Sequence, residues 1–138
     1  MRLGFPLAAL ALACSNSAAY DGSPGEQVSA FFADLSKGSA NDAVDGLYSS
    51  NSAFKQKIQA LTVLKQQMAS VPALFGAYLG MELVHEEQIS PSVMRVVAIE
   101  KREIHPIIWE FYFYKPKENW VISQAVFGDQ FQNLQSNQ

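Results

Sequence analysis

The sequence predicts an α+β domain: three N-terminal helices packed on one face of a curved four-stranded antiparallel sheet. Two observations carry this. Up to residue 70 the apolar residues recur every three or four positions, and from residue 81 they alternate. The first spacing is that of an amphipathic helix and the second that of a half-buried strand. The strands follow one another through short connections, which favours an antiparallel meander. A run of helices followed by a run of strands then buries its apolar faces by packing one set against the other.

The elements follow in order. Residues 26–37 carry Val28, Phe31, Phe32 and Leu35 on one helical stripe, with Gly38 as a stop. A second helix is expected over 41–48, with Asn41 as its N-cap and Ala43, Val44, Leu47 and Tyr48 turned inward. The longest helix is expected over 54–70, where Phe54, Ile58, Leu61, Leu64 and Met68 form the stripe and Pro72 breaks or restarts it. Gly76 and Gly80 flank the approach to the first strand. Strands are expected over 81–90, 93–103, 107–114 and 120–127, with a turn over 115–119 that places Pro116 early.

Length and composition fit one packed domain: 138 residues, 49% apolar, 17% charged and 12% aromatic. Residues 1–19 read as a signal peptide, with Arg2 before an apolar run over 3–13 and the small triplet Ser17-Ala18-Ala19 before a cut. That run is too short to span a hydrocarbon core of ~30 Å. The mature chain is expected to start at Tyr20, with a flexible N-terminus over 20–25, the domain over 26–134 and a tail over 135–138. The expected compartment is periplasmic or secreted. Cys14, in Leu12-Ala13-Cys14-Ser15, leaves open a second reading in which this cysteine is lipidated and anchors a lipoprotein. Removing Arg2 leaves 9 basic against 13 acidic side chains, a formal charge of −4. With no basic block, no nucleic-acid partner is expected, and beyond the leader there is no candidate membrane span.

Strand parity assigns the faces. If the turn pairs Tyr114 with Trp120, then Tyr112 pairs with Ile122, Glu110 with Gln124 and Ile108 with Val126. One face then holds Ile107, Trp109, Phe111, Phe113, Val121, Ser123, Ala125 and Phe127, joined by Met94, Val96 and Ala98; it is the expected core. The other holds Val97, Ile99, Ile108, Tyr112, Trp120 and Ile122 among its apolar residues. That is too apolar for a face meeting only water, and it points to a homodimer interface or to cover by the chain's own tail.

The chain resembles the nuclear transport factor 2-like (cystatin-like) superfamily, especially its small exported bacterial members. The residues carrying the resemblance are Phe-Gly-Ala-Tyr-Leu-Gly-Met at 75–81, Trp-Glu-Phe-Tyr-Phe-Tyr at 109–114, Asn-Trp-Val-Ile at 119–122 and Phe-Gly-Asp-Gln-Phe at 127–131. It implies helices and a curved sheet enclosing a conical pocket. It implies no single function, because the superfamily spans enzymes, carriers and assembly modules.

Within such a pocket the candidates are Tyr48, Tyr78, His85, Glu100, Trp109 and Phe111. His85 shares parity with Met81, Leu83 and Ile89, and Glu100 with Met94, Val96 and Ala98, so both are expected to point inward. An imidazole and a carboxylate in an apolar cup can exchange protons. Two readings follow. One is a non-enzymatic binding or interaction module with a small apolar ligand. The other is a cofactor-free isomerase or dehydratase using the His85–Glu100 pair. The sequence implies no metal, because His85 and His105 stand alone, and no cofactor, because no glycine-rich loop opens a helix.

Overall fold

The computed structural model describes residues 22–52 and 57–134. Its elements are α1 (Pro24–Ser36), α2 (Ala40–Tyr48), α3 (Ile58–Ala69), α4 (Val71–Phe75), β1 (Tyr78–Ser90), β2 (Val93–Arg102), β3 (Ile107–Tyr114), β4 (Val121–Gly128) and a 3-10 turn (Phe131–Leu134). The class is α+β, with an open antiparallel sheet in the order β1-β2-β3-β4. The expected leader, Cys14, Phe54 and the tail over 135–138 lie outside the described residues.

α1 starts two residues earlier than expected, because Ser23 and Glu26 form a capping box with Pro24 in the first turn. Glu26 N–H donates to Ser23 Oγ at 3.3 Å, and Ser23 N–H to Glu26 Oε2 at 3.4 Å. Gly38 ends the helix as expected, with φ at +80°. The N-cap of α2 is Ser39 and not Asn41; the Ser39 hydroxyl accepts from the Asp42 N–H at 3.3 Å. A hydroxyl two residues earlier reaches the free first-turn donors, so the cap moves with it.

The expected stripe of α3 is buried unevenly. Met68 is buried and Leu61 and Leu64 pack partly against the core, but Ile58 is 68% exposed. Pro72 restarts the chain as α4, which ends at Gly76 with φ at +86°. A Cβ at Gly76 would stand 3.0 Å from the Glu103 Cβ, so the bare backbone lets the β2–β3 loop approach. Ile104 N–H donates to the Phe75 carbonyl there at 2.9 Å.

The core joins α1 and α2 to β2, β3 and β4. Val28, Phe31, Phe32, Val44 and Leu47 are buried with Val96, Ala98, Trp109, Phe111, Phe113 and Ile122. The Phe31 ring meets Trp109 edge-on at 5.0 Å and Phe111 at 5.5 Å, while Trp109 stacks on Phe127 at 4.7 Å. Each such pair contributes about 0.5–1.5 kcal/mol beyond the area it buries.

The β3–β4 register differs from the expected one. Tyr114 pairs with Val121 and Phe113 with Ile122; an irregularity then admits Ser123 as an extra residue, and Tyr112 pairs with Gln124. Ile122 therefore joins Phe113 in the core, where the parity argument had put it on the other face. Val121 and Ser123 leave the core positions assigned to them, while Ala125 and Phe127 keep theirs. A one-residue bulge flips every side chain before it relative to those after it. The backbone of Ile122 also ties β4 to the α2 exit. Its N–H donates to Ser50 Oγ at 3.4 Å, and its carbonyl accepts from Asn51 Nδ2 at 2.7 Å.

Candidate functional site

Glu100 lies near the end of β2, on the core-facing side with Val96 and Ala98. Two residues on, Arg102 shares that side. Glu100 Oε1 accepts from the Trp109 indole N–H at 3.1 Å, and Glu100 Oε2 accepts from Arg102 Nε at 2.7 Å. The pair is desolvated: the side chains of Arg102 and Glu100 are 7% and 2% exposed. Buried charges of this kind persist only when paired and hydrogen-bonded. Arg102 Nη1 also donates to the Gly76 carbonyl at 3.0 Å, and its Cζ stands 5.6 Å from the centre of the Tyr78 ring. Burial raises the Tyr78 phenol above its ordinary value; the charge of Glu100 adds to this and that of Arg102 opposes it.

Tyr78 and Arg102 line a solvent-open cleft of about 520 Å³. Leu35, Met68 and Pro72 supply apolar wall, and Lys65, Ser39 and Asn41 polar wall. Lys65 Nζ is held by Asp45 Oδ1 at 2.6 Å. The cleft lies where the end of α1, the start of α2, α3 and α4 meet the β1 and β2 ends at Tyr78 and Arg102.

The six pocket candidates do not gather in one place. Tyr78 alone lines the cleft, and Glu100 lies behind it through Arg102. Trp109 is 1% exposed and packed by Phe31, Phe32, Phe111 and Phe127; Phe111 is buried beside it. Tyr48 is buried against the core, and burial pushes its phenol up to about 12 despite a hydrogen bond with the Ala125 backbone.

His85 is placed on the opposite face from Glu100, which corrects the parity argument. Leu83 pairs with Ala98 and His85 with Val97, so Val84 is an extra residue between them. That shift turns His85 outward, where its side chain is 43% exposed and its Nε2 lies 3.8 Å from Glu87 Oε2. The same shift turns Glu86 toward α1, where its carboxylate lies against Gly25.

The outer face is organised around Arg95, whose side chain is only 10% exposed. It meets Glu110 at 3.4 Å and Glu87 at 3.6 Å, and the Tyr112 hydroxyl donates to Glu110 Oε2 at 3.2 Å. Burial works against the charge of Arg95, but the hydrogen bond and charge of Glu110 outweigh it and hold the guanidinium above its ordinary value. Of the interface candidates, Val97 and Ile108 are buried there outside the main core, and Ile99 and Tyr112 are half-buried. Trp120 packs partly against the core, with its carbonyl accepting from Gln27 Nε2 at 2.9 Å, and Ile122 is fully inside.

Arg102 and Lys65 are the site residues that the sequence argument missed. Arg102 had a usable signal, since its parity matches that of Glu100. Lys65 had none, because it lies off the apolar stripe of its helix. Among the described residues no group of three or more His, Cys, Asp or Glu could hold a metal, and no helix is long and apolar enough to cross a membrane. Comparison with protein-family models, curated proteins and solved structures finds no match.

Proposed function

We propose that this domain is an exported, non-catalytic binding module that takes a small ligand in the cleft floored by Tyr78 and Arg102. The observation that carries the reading is the cleft itself. At about 520 Å³ it falls within the range of ligand sites, and it joins apolar wall to two ordered cations, Arg102 and Lys65. A helical layer on one face of a curved sheet, as in the nuclear transport factor 2-like superfamily, would leave its gap at this end of the strands. The isomerase or dehydratase reading is less supported, because His85 and Glu100 stand on opposite faces and Glu100 is occupied by Trp109 and Arg102.

The test is a nuclear magnetic resonance titration of the full chain with small amphiphiles, both neutral and charged. Binding in the cleft shifts the Met68 methyl and Tyr78 ring signals, and Ala69→Trp, which fills the cleft wall, removes the effect. Shifts confined to Tyr112, Tyr114 and Val126 would move the site to the outer face.

That face supports a second reading, a homodimer. Tyr114 and Val126 remain 46% and 45% exposed there, beside the ordered Arg95 network. Exposed apolar side chains next to fixed charges suit an interface in which packing gives affinity and charge sets register.

A further inference from the structure

We infer that the cleft selects a small organic monocarboxylate, its head on Arg102 and its apolar body over Tyr78 and Met68. This rests on the cleft reading above and names the ligand class for it.

The head group follows from the hydrogen bonds of Arg102. Within the described residues they use Nε, on Glu100, and Nη1, on the Gly76 carbonyl. A guanidinium has five N–H donors, so three remain, one on Nη1 and two on Nη2, for a ligand in the cleft that Arg102 lines. Three fixtures — Glu100, the Gly76 carbonyl and the Tyr78 ring — hold the group in place before any ligand arrives. Little side-chain freedom is then lost on binding, and the remaining N–H groups can donate to a carboxylate oxygen.

The charge of the ligand follows from Glu100. Its carboxylate already balances Arg102 at 2.7 Å, and Asp45 balances Lys65 at 2.6 Å. With both cations balanced, each further charge on an anion adds desolvation cost with no net positive charge to offset it, so one carboxylate on the remaining Arg102 donors is the most the site favours. A single carboxylate needs only one charge-assisted hydrogen bond and draws the rest of its affinity from burial. Leu35, Met68 and Pro72 supply the apolar wall for that burial.

The experiment compares octanoate with octanamide, which have the same chain and differ in the charge of the head. The full chain is titrated with each, and the Met68 and Tyr78 signals are followed. Octanoate is expected to bind several-fold tighter, because both heads can accept from Arg102 but only the carboxylate makes a bond charged on both sides. Glu100→Gln, which removes the competing internal carboxylate, is expected to tighten octanoate binding several-fold. Glu100→Gln combined with Arg102→Gln, which leaves no buried charge unpaired, is expected to abolish the discrimination. Equal binding of the two ligands, with shifts still at Met68 and Tyr78, overturns the carboxylate inference and leaves the cleft reading intact. No shift at those residues with either ligand overturns the cleft reading itself. The wild-type comparison decides both points without requiring any variant to fold.

Discussion

Trp109 and Glu100 are joined by an indole-to-carboxylate hydrogen bond of 3.1 Å, and the other oxygen of Glu100 reaches Arg102. One carboxylate thus links the aromatic core to the cleft floor. Glu100→Ala strands the guanidinium of Arg102 and the indole N–H together. It is expected to cost ~3–5 kcal/mol of unfolding free energy, the usual penalty for leaving one buried charge unpaired. Urea denaturation measures it. A loss below ~0.5 kcal/mol, the size of an ordinary surface change, would mean that Arg102 finds water as soon as its partner is removed.

Ile122 and Val126 separate the core from the outer face of β4. Ile122→Ala is expected to destabilise the domain by ~2–5 kcal/mol, because it opens a cavity beside Phe113. Val126→Glu is expected to leave stability within ~0.5 kcal/mol of wild type, as for other exposed positions. If the outer face forms a homodimer, the same substitution yields a folded monomer in sedimentation. A wild type that is already monomeric at tens of micromolar removes the dimer reading.

Tyr48 gives the domain a dependence on alkaline pH. Burial raises its phenol from 10.0 to about 12, so folding holds the proton on. The stabilisation is complete below pH 10 and is lost as pH rises through about 12. Two pH units correspond to about 3 kcal/mol. Unfolding free energies measured across that window should fall steeply for wild type and less steeply for Tyr48→Phe. Identical slopes would show that the Tyr48 hydroxyl already reaches water in the folded state.

Processing is read from intact mass. If the chain is exported, as proposed, its mature form is expected to begin at Tyr20, after the Ser17-Ala18-Ala19 triplet. A diacylglyceryl mass on Cys14 would favour the lipoprotein reading. A chain retaining Met1 would rule out cleavage of the leader.

The residues by themselves determined the class, the strand order and most of the core. Val28, Phe31, Phe32 and Leu35 could be read from helical spacing, and Val96, Ala98, Trp109 and Phe111 from alternation, because these periods are properties of the backbone and need no partner. Parity failed at two bulges. Val84 turned His85 outward and Ser123 turned Ile122 inward. A bulge depends on how one strand pairs with its neighbour and on what its free edge bonds, here Ser50 and Asn51 for Ile122. Only the tertiary structure decides that. The cleft is legible in the same measure. Tyr78 and the inward position of Glu100 were readable, whereas Arg102 acquired its role when Gly76, with no side chain in the way, let its carbonyl and the β2–β3 loop close around the guanidinium. The filling of space around Trp109 by Phe31, Phe32 and Phe127 brings together side chains from distant parts of the chain, and no local pattern encodes how tightly such rings will pack.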